Sequence, residues 1–161
     1  MKLLHAIALL CLSPLAAQAG EANVTWRDFN DYRDVVPANE SKAGYHKRVA
    51  AQLEKHLSKL MTEAPEGYQL NITFDDVDLA GDVRFNMHDI RIVKPIFFPR
   101  LKISYTLTDN SGAVVAQAQE KVLKDLSFMD RVRTGRDSEF YYDKRLLSTW
   151  YKEEIADKVK G

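Results

Sequence analysis

The residues most able to do chemistry are four closely spaced carboxylates, Asp75, Asp76, Asp78 and Asp82. Oxygen ligands of this kind suit Ca²⁺ or Mg²⁺. The spacing does not match a calcium-binding hand, because Ala80 stands at a ligand position and the closing Glu is absent. In a strand, Asp76 and Asp78 point to one face and Asp75 to the other, so at most two carboxylates gather locally. We therefore expect a strand end whose carboxylates accept hydrogen bonds in a turn. A divalent-metal site at Asp76, Asp78 and Asp82 is the alternative.

The histidines offer one further candidate for acid–base chemistry. His88 lies beside Asp89 in a polar segment, and the two side chains could form a dyad. An exposed loop histidine is the simpler interpretation. His46 and His56 would be about 15 Å apart along one helix, so they cannot share a metal ion. The chain contains no HExxH, Gly-x-Ser-x-Gly or phosphate-binding glycine motif. We predict no cofactor and no assigned catalytic residue.

Asp143 stands out because it falls at the centre of the apolar arc of a predicted C-terminal helix, between Phe140 and Leu147. A carboxylate buried there needs a cation or several hydrogen-bond donors. Arg100 and Arg91 are the candidate cations, and we predict a structural ion pair between Asp143 and Arg100. The alternatives are a catalytic acid with a raised pKa, or a shifted helix that leaves Asp143 in solvent.

Two surface segments are candidates for contact with a partner. Ile96, Phe97 and Phe98 lie between Pro95 and Pro99, which discourage a helix. These three residues either plug the edge of the sheet core or form an exposed patch for a protein or an acyl chain. A basic run follows later in the chain, and it is either a solvated loop or a contact for anionic groups such as lipid phosphates. Its members are Arg131, Arg133 and Arg136.

The elements that must position these residues follow from hydrophobic periodicity. Apolar residues at helical spacing predict a helix over 42–61, capped by Asn39 or Ser41, and a last helix from Asp137 or Ser138 to about Ile155. Alternation predicts a short strand over 22–27 and a strand through Leu70, Ile72 and Phe74. The turn residues Asp109 to Gly112 predict a hairpin over 101–123, in which Val114, Ala116, Ala118 and Val122 share one face. We predict an α+β two-layer sandwich: a small, mainly antiparallel sheet with two helices on one face, in the order β-α-β-β-β-α.

The amino terminus and the composition predict an exported protein. Lys2 precedes an apolar run over 3–12, and Ala17-Gln18-Ala19 is a small-x-small cleavage signal. That run is too short to span a membrane as a helix. We expect residues 1–19 to be a cleaved signal peptide and residues 20–161 to form a single domain. The chain's one cysteine, Cys11, then leaves with the signal.

Basic and acidic residues number 23 each, so the chain has no net charge with which to bind nucleic acid. Hydrophobic residues make up 45% of the chain, which is typical of a globular protein and excludes a disordered one. We predict a periplasmic or secreted location of the Gram-negative type, with no membrane span in the mature chain.

The chain resembles the secreted proteobacterial family named Domain of Unknown Function 3016 (DUF3016). The resemblance rests on the segments 76–81 (Asp-Val-Asp-Leu-Ala-Gly), 98–100 (Phe-Pro-Arg) and 142–145 (Tyr-Asp-Lys-Arg), together with Tyr105, Leu107, Gly112 and Trp150. Phe98 replaces the usual Pro, and Asp143 replaces the usual Glu. The resemblance implies an exported bacterial protein of one domain and transfers no activity.

These observations predict a non-catalytic periplasmic binding or envelope-accessory module. Its partner is unidentified; an envelope protein or a lipid fits the apolar segment at Ile96. The alternative is a small hydrolase or a divalent-metal-dependent enzyme that uses the Asp75–Asp82 segment and His88. A purely structural envelope protein is a third hypothesis.

Overall fold

The computed structural model describes residues 19–84, 89–130 and 138–160. In chain order its elements are β1 (Glu21–Trp26), α1 (Lys42–Met61), β2 (Gln69–Asp78), β3 (Asp82–Arg84), β4 (Ile90–Ile92), β5 (Arg100–Thr108), β6 (Val114–Lys124) and α2 (Tyr141–Trp150). α2 continues into a π-helical turn, Tyr151–Ile155. Among the described residues, no helix is long and apolar enough to cross a membrane.

The predicted α+β architecture is confirmed. Four strands form one sheet in the order β1-β2-β5-β6, and only the β1–β2 pair is parallel. Both helices contribute to the core that covers one face of this sheet. That core joins Leu70 and Phe74 of β2 and Ile103 of β5 to Leu53 of α1 and Leu147 of α2. The predicted element order was incomplete, because β3 and β4 form a separate two-stranded sheet. Each has only three residues, too few for alternation to reveal.

The first helix has the predicted bounds. Ser41 caps it, and its hydroxyl accepts a hydrogen bond from the Gly44 N–H at 3.2 Å. The buried residues of α1 follow the predicted helical spacing: Tyr45, Val49, Leu53, Leu57 and Met61.

A β-bulge in β2 changes the predicted direction of the acidic side chains. The register with β5 shifts between Phe74 and Asp76, so the next buried residue after Phe74 is Val77. Alternation from Phe74 would have placed Asp76 and Asp78 towards the core and Asp75 on the opposite face. The bulge instead brings Asp75 and Asp76 to the same side of the sheet, where both line one depression together with Lys102. The predicted opposition between them is therefore wrong.

A second bulge corrects the predicted face of β6. The pairing with β5 shifts between Ile103 and Tyr105, where Glu120 adopts a left-handed backbone with φ of 49°. As a result Leu123 is buried and Val122 is 43% exposed, the reverse of the predicted parity. The hairpin itself is confirmed.

The start of α2 also differs from the prediction. The helix begins at Tyr141 after Phe140, which has a left-handed φ of 53° and gives no side-chain cap. Ser138 precedes the helix, and Asp137 lies outside the described residues. This later start makes Asp143 the third residue of the helix, so its carboxylate lies beside the free N–H groups of the first turn.

Candidate functional site

The acidic carboxylates of β2 and β3 are paired with arginines and a serine. Asp76 lies 3.0 Å from Arg100 and 3.6 Å from Arg33, which also lies 3.7 Å from Asp78. Asp75 bonds Arg27 and the Ser104 hydroxyl, and Asp82 lies 3.4 Å from Arg84. In the parts of the chain that the structure describes, no three His, Cys, Asp or Glu residues are placed to hold a metal ion. His88 lies outside the described residues.

Asp143 is buried, and its partner is not the predicted one. The residue is 2% exposed, and its Oδ1 accepts a hydrogen bond from the Ala80 N–H at 3.0 Å. The predicted ion pair with Arg100 is wrong, because Arg100 bonds Asp76 on the polar side of β2. The contact with Ala80 joins two of the segments that carry the family resemblance, 76–81 and 142–145.

Burial raises the pKa of Asp143 to about 7. The first cause is desolvation, which penalises the charged form. The Ala80 N–H, the N–H of Asp143 itself and the positive charge of Arg91 oppose the shift, while the negative charge of Asp78 adds to it. The carboxyl therefore changes its protonation near neutral pH.

Arg91, the other cation that the sequence offered, binds the loop before α1 and the turn after β2. Its guanidinium donates to both carboxylate oxygens of Asp34, at 2.9 and 3.0 Å. It also donates to the carbonyls of Val36 at 3.0 Å and Gly81 at 3.1 Å. Gly81 has a φ of +94°, and a Cβ there would lie 3.0 Å from the carbonyl oxygen of Ile92. Because glycine has no Cβ, the turn between β2 and β3 can lie this close to the backbone of β4.

One cleft lies above Asp143, and we call it the Asp143 cleft. Its volume is about 360 Å³. Its charged lining residues are Glu40, Arg48, Arg91, Glu139 and Asp143, and its aromatic ones are Tyr45, Phe140, Tyr141 and Tyr142. Arg48 bonds Glu40 and forms an ion pair with Glu139, so it links α1 to the segment that leads into α2.

A second cleft, which we call the Phe97 cleft, has a volume of about 340 Å³. Its lining includes Ile96, Phe97 and Phe98, and also Asp78 and Asp82. The structure thus brings the predicted contact residues together with two of the predicted acidic candidates. Asp76 lines a different depression, and Asp143 lines the first cleft. Asp34 of the Arg91–Asp34 pair lines the Phe97 cleft and Arg91 lines the Asp143 cleft.

The three apolar contact candidates differ in exposure. Ile96 is 72% exposed, whereas Phe97 and Phe98 are partly buried. The Phe97 carbonyl accepts the Gly81 N–H at 3.0 Å, and the Arg84 guanidinium lies 5.4 Å from the centre of the Phe97 ring. These contacts hold Phe97 against the turn after β2, while the neighbouring Ile96 stays exposed.

One further polar pair was not predictable from the sequence. His56 of α1 and Ser148 of α2 lie 2.8 Å apart, although 92 positions separate them. The Ser148 hydroxyl donates to the Lys144 carbonyl at 3.0 Å, which leaves its proton unavailable to the imidazole. The cavity beside the pair has no carboxylate among its described lining residues to orient the histidine. The pair therefore lacks the arrangement of a nucleophile and its base.

Comparison with known proteins identifies the family and no activity. The family described as a protein of unknown function (DUF3016) matches residues 20–153. The chain belongs to this family. No curated protein and no solved structure matches it.

Proposed function

We propose that this member of the DUF3016 family is a non-catalytic binding module of the bacterial envelope, exported to the periplasm, which contacts its partner through the Phe97 cleft. The observation that carries the proposal is the placement of Ile96. A side chain of this size that is 72% exposed, at the lip of a cleft with two aromatic residues, is available to a partner.

The state of the carboxylates supports binding over metal-dependent catalysis. A divalent cation at Asp76 would have to displace Arg33 and Arg100 from their ion pairs, and one at Asp78 would have to displace Arg33. Carboxylates that serve a metal are instead directed together at a shared point. We propose that these ion pairs fix the bulged end of β2, which positions the turn beneath Phe97.

Export is supported by the sequence of the first 19 residues. The apolar run and the small residues at Ala17 and Ala19 fit a signal that is cleaved before Gly20. A mature chain without Cys11 needs no disulfide in an oxidising compartment, because its core of packed leucines and aromatic residues is sufficient for a domain of this length.

The test is cosedimentation of the purified mature protein with envelope vesicles from the native bacterium. The wild type is compared with Ile96→Asp and with the matched control Val114→Asp, since Val114 is 54% exposed on β6. We expect the wild type and Val114→Asp to sediment with the vesicles and Ile96→Asp to lose most of its binding. Vesicles of extracted lipid alone and protease-treated vesicles then separate a lipid partner from a protein partner. Equal binding by all three proteins, or no binding by the wild type, would reject the proposal.

The competing enzyme hypothesis has its own measurement. Calorimetric titration with millimolar Ca²⁺, Mg²⁺ and Zn²⁺ should give no binding heat if Asp76, Asp78 and Asp82 stay paired with arginines. A saturable heat that disappears in Asp78→Asn would favour the divalent-metal-dependent enzyme.

A further inference from the structure

The Asp143 cleft combines a buried carboxyl with an aromatic wall, and nothing in the Phe97 proposal uses it. Its volume of about 360 Å³ lies within the range of small-ligand sites. We propose that this cleft is a second binding site and that it takes a small organic cation, an ammonium group attached to an apolar body.

The charges around the cleft favour a cation. Arg91 already donates from both terminal guanidinium nitrogens to Asp34, which does not line this cleft. The remaining charged lining groups are the Arg48 guanidinium and the carboxyl groups of Glu40, Glu139 and Asp143. Among the described lining residues, two guanidinium groups face three carboxyl groups, so the cleft still has an excess of negative charge when Asp143 is ionised.

The aromatic wall already holds a cation of the protein itself. The Arg48 guanidinium lies 5.4 Å from the centre of the Tyr45 ring, and the Phe140 ring packs edge-on against Tyr45 at 5.9 Å. A cation within about 6 Å of an aromatic ring is attracted by the negative face of that ring. Phe140 and Tyr141 are only partly buried, so they offer a ligand the same kind of surface.

The protonation of Asp143 would couple to the ligand. The groups that face it are Arg91 from β4, Tyr45 from α1, Asp78 from β2 and the Ala80 N–H of the turn. Because burial holds the pKa of Asp143 near 7, an ammonium ion that stabilises the carboxylate should bind more tightly as pH rises through this value. A neutral ligand should not show this dependence.

The test uses three probes of matched shape: phenethylamine as the cation, 2-phenylethanol as the neutral compound and phenylacetate as the anion. Two-dimensional ¹H–¹⁵N NMR follows the Ala80 amide, whose N–H donates directly to Asp143. We expect phenethylamine to shift this resonance in a saturable way and to bind about tenfold more tightly than either other probe. Its affinity should increase between about pH 6 and pH 8.

Two variants with intact shape complete the test. Asp143→Asn should weaken phenethylamine binding about tenfold and remove its pH dependence. Glu139→Gln, at a side chain that is 39% exposed, should weaken binding at every pH. The matched control is Asp82→Asn, which changes the other cleft and should bind like the wild type. The proposal is overturned if phenethylamine leaves the Ala80 amide unmoved, if phenylacetate binds as tightly, or if Glu139→Gln and Asp143→Asn both bind like the wild type. The result is independent of Ile96, so it stands or falls separately from the envelope-binding proposal.

Discussion

Substituting Asp143 with Asn should change how stability depends on pH. The folded protein holds the pKa of Asp143 at about 7, against an ordinary value of 3.8. The folded state therefore binds a proton that the unfolded state releases. The contribution of this bound proton to the free energy of unfolding is fully present below about pH 4, and it is lost as pH rises through 7.

The size of this effect follows from the shift. About three pKa units at ~1.4 kcal/mol each amount to about 4 kcal/mol. Asparagine has the same shape and keeps an oxygen that can accept the Ala80 N–H, but it does not titrate. The free energy of unfolding of the wild type, relative to Asp143→Asn, should thus fall by about 4 kcal/mol between pH 4 and pH 8. Any constant cost of the buried amide cancels in this comparison.

Urea unfolding at a series of pH values gives the measurement. For a slope of ~2 kcal/mol per molar urea, 4 kcal/mol corresponds to about 2 M in the difference between the two midpoints. Asp157→Asn is the control, because the Asp157 side chain is 88% exposed and its removal should leave the pH profile unchanged. If the difference between wild type and Asp143→Asn is the same at every pH, then burial does not govern this carboxyl and the argument from desolvation is wrong.

Three further predictions concern the turn after β2 and the amino terminus. Arg91→Met should lower the free energy of unfolding by about 3–5 kcal/mol, because it leaves the Asp34 carboxylate and two carbonyls without their donor. Arg84→Met, at a 46% exposed site, should lower it by under about 1 kcal/mol. Equal losses in chemical unfolding would contradict this prediction. Gly81→Ala should lower the thermal midpoint more than Gly112→Ala, because both glycines have positive φ but only the Cβ at Gly81 meets a neighbouring backbone; the same loss for both would refute the steric argument. Mass spectrometry of the protein purified from bacterial cells should find Gly20 as the first residue, and an uncut or acylated terminus would disprove the predicted signal cleavage.

Long elements with regular hydrophobic spacing were predictable from the sequence. α1 repeats its apolar residues over five turns and has a serine at its start, so its bounds follow from local physics. The β5–β6 hairpin was equally clear, since Asp109 and Gly112 form a turn in which the Asp109 carboxylate accepts the Ser111 and Ala113 N–H groups. The burial of Asp143 also followed from its position on the helical arc.

The features that govern the candidate sites depended on contacts between distant residues. A bulge at Asp75 depends on how β2 pairs with β5, and this pairing reversed the direction that alternation assigned to Asp76. The strands β3 and β4 are too short to show a hydrophobic alternation in the sequence, yet their pairing places Arg91 within 2.9 Å of Asp34.

The sequence by itself determined the layers of this fold and the burial of one carboxyl, because each depends on spacing along the chain. Only the tertiary structure decided the partners of the charged groups. In the folded chain Arg100 pairs with Asp76, and the Ala80 N–H donates to Asp143. A polar side chain pairs with the group that folding brings within about 3 Å, and spacing along the chain does not encode that distance.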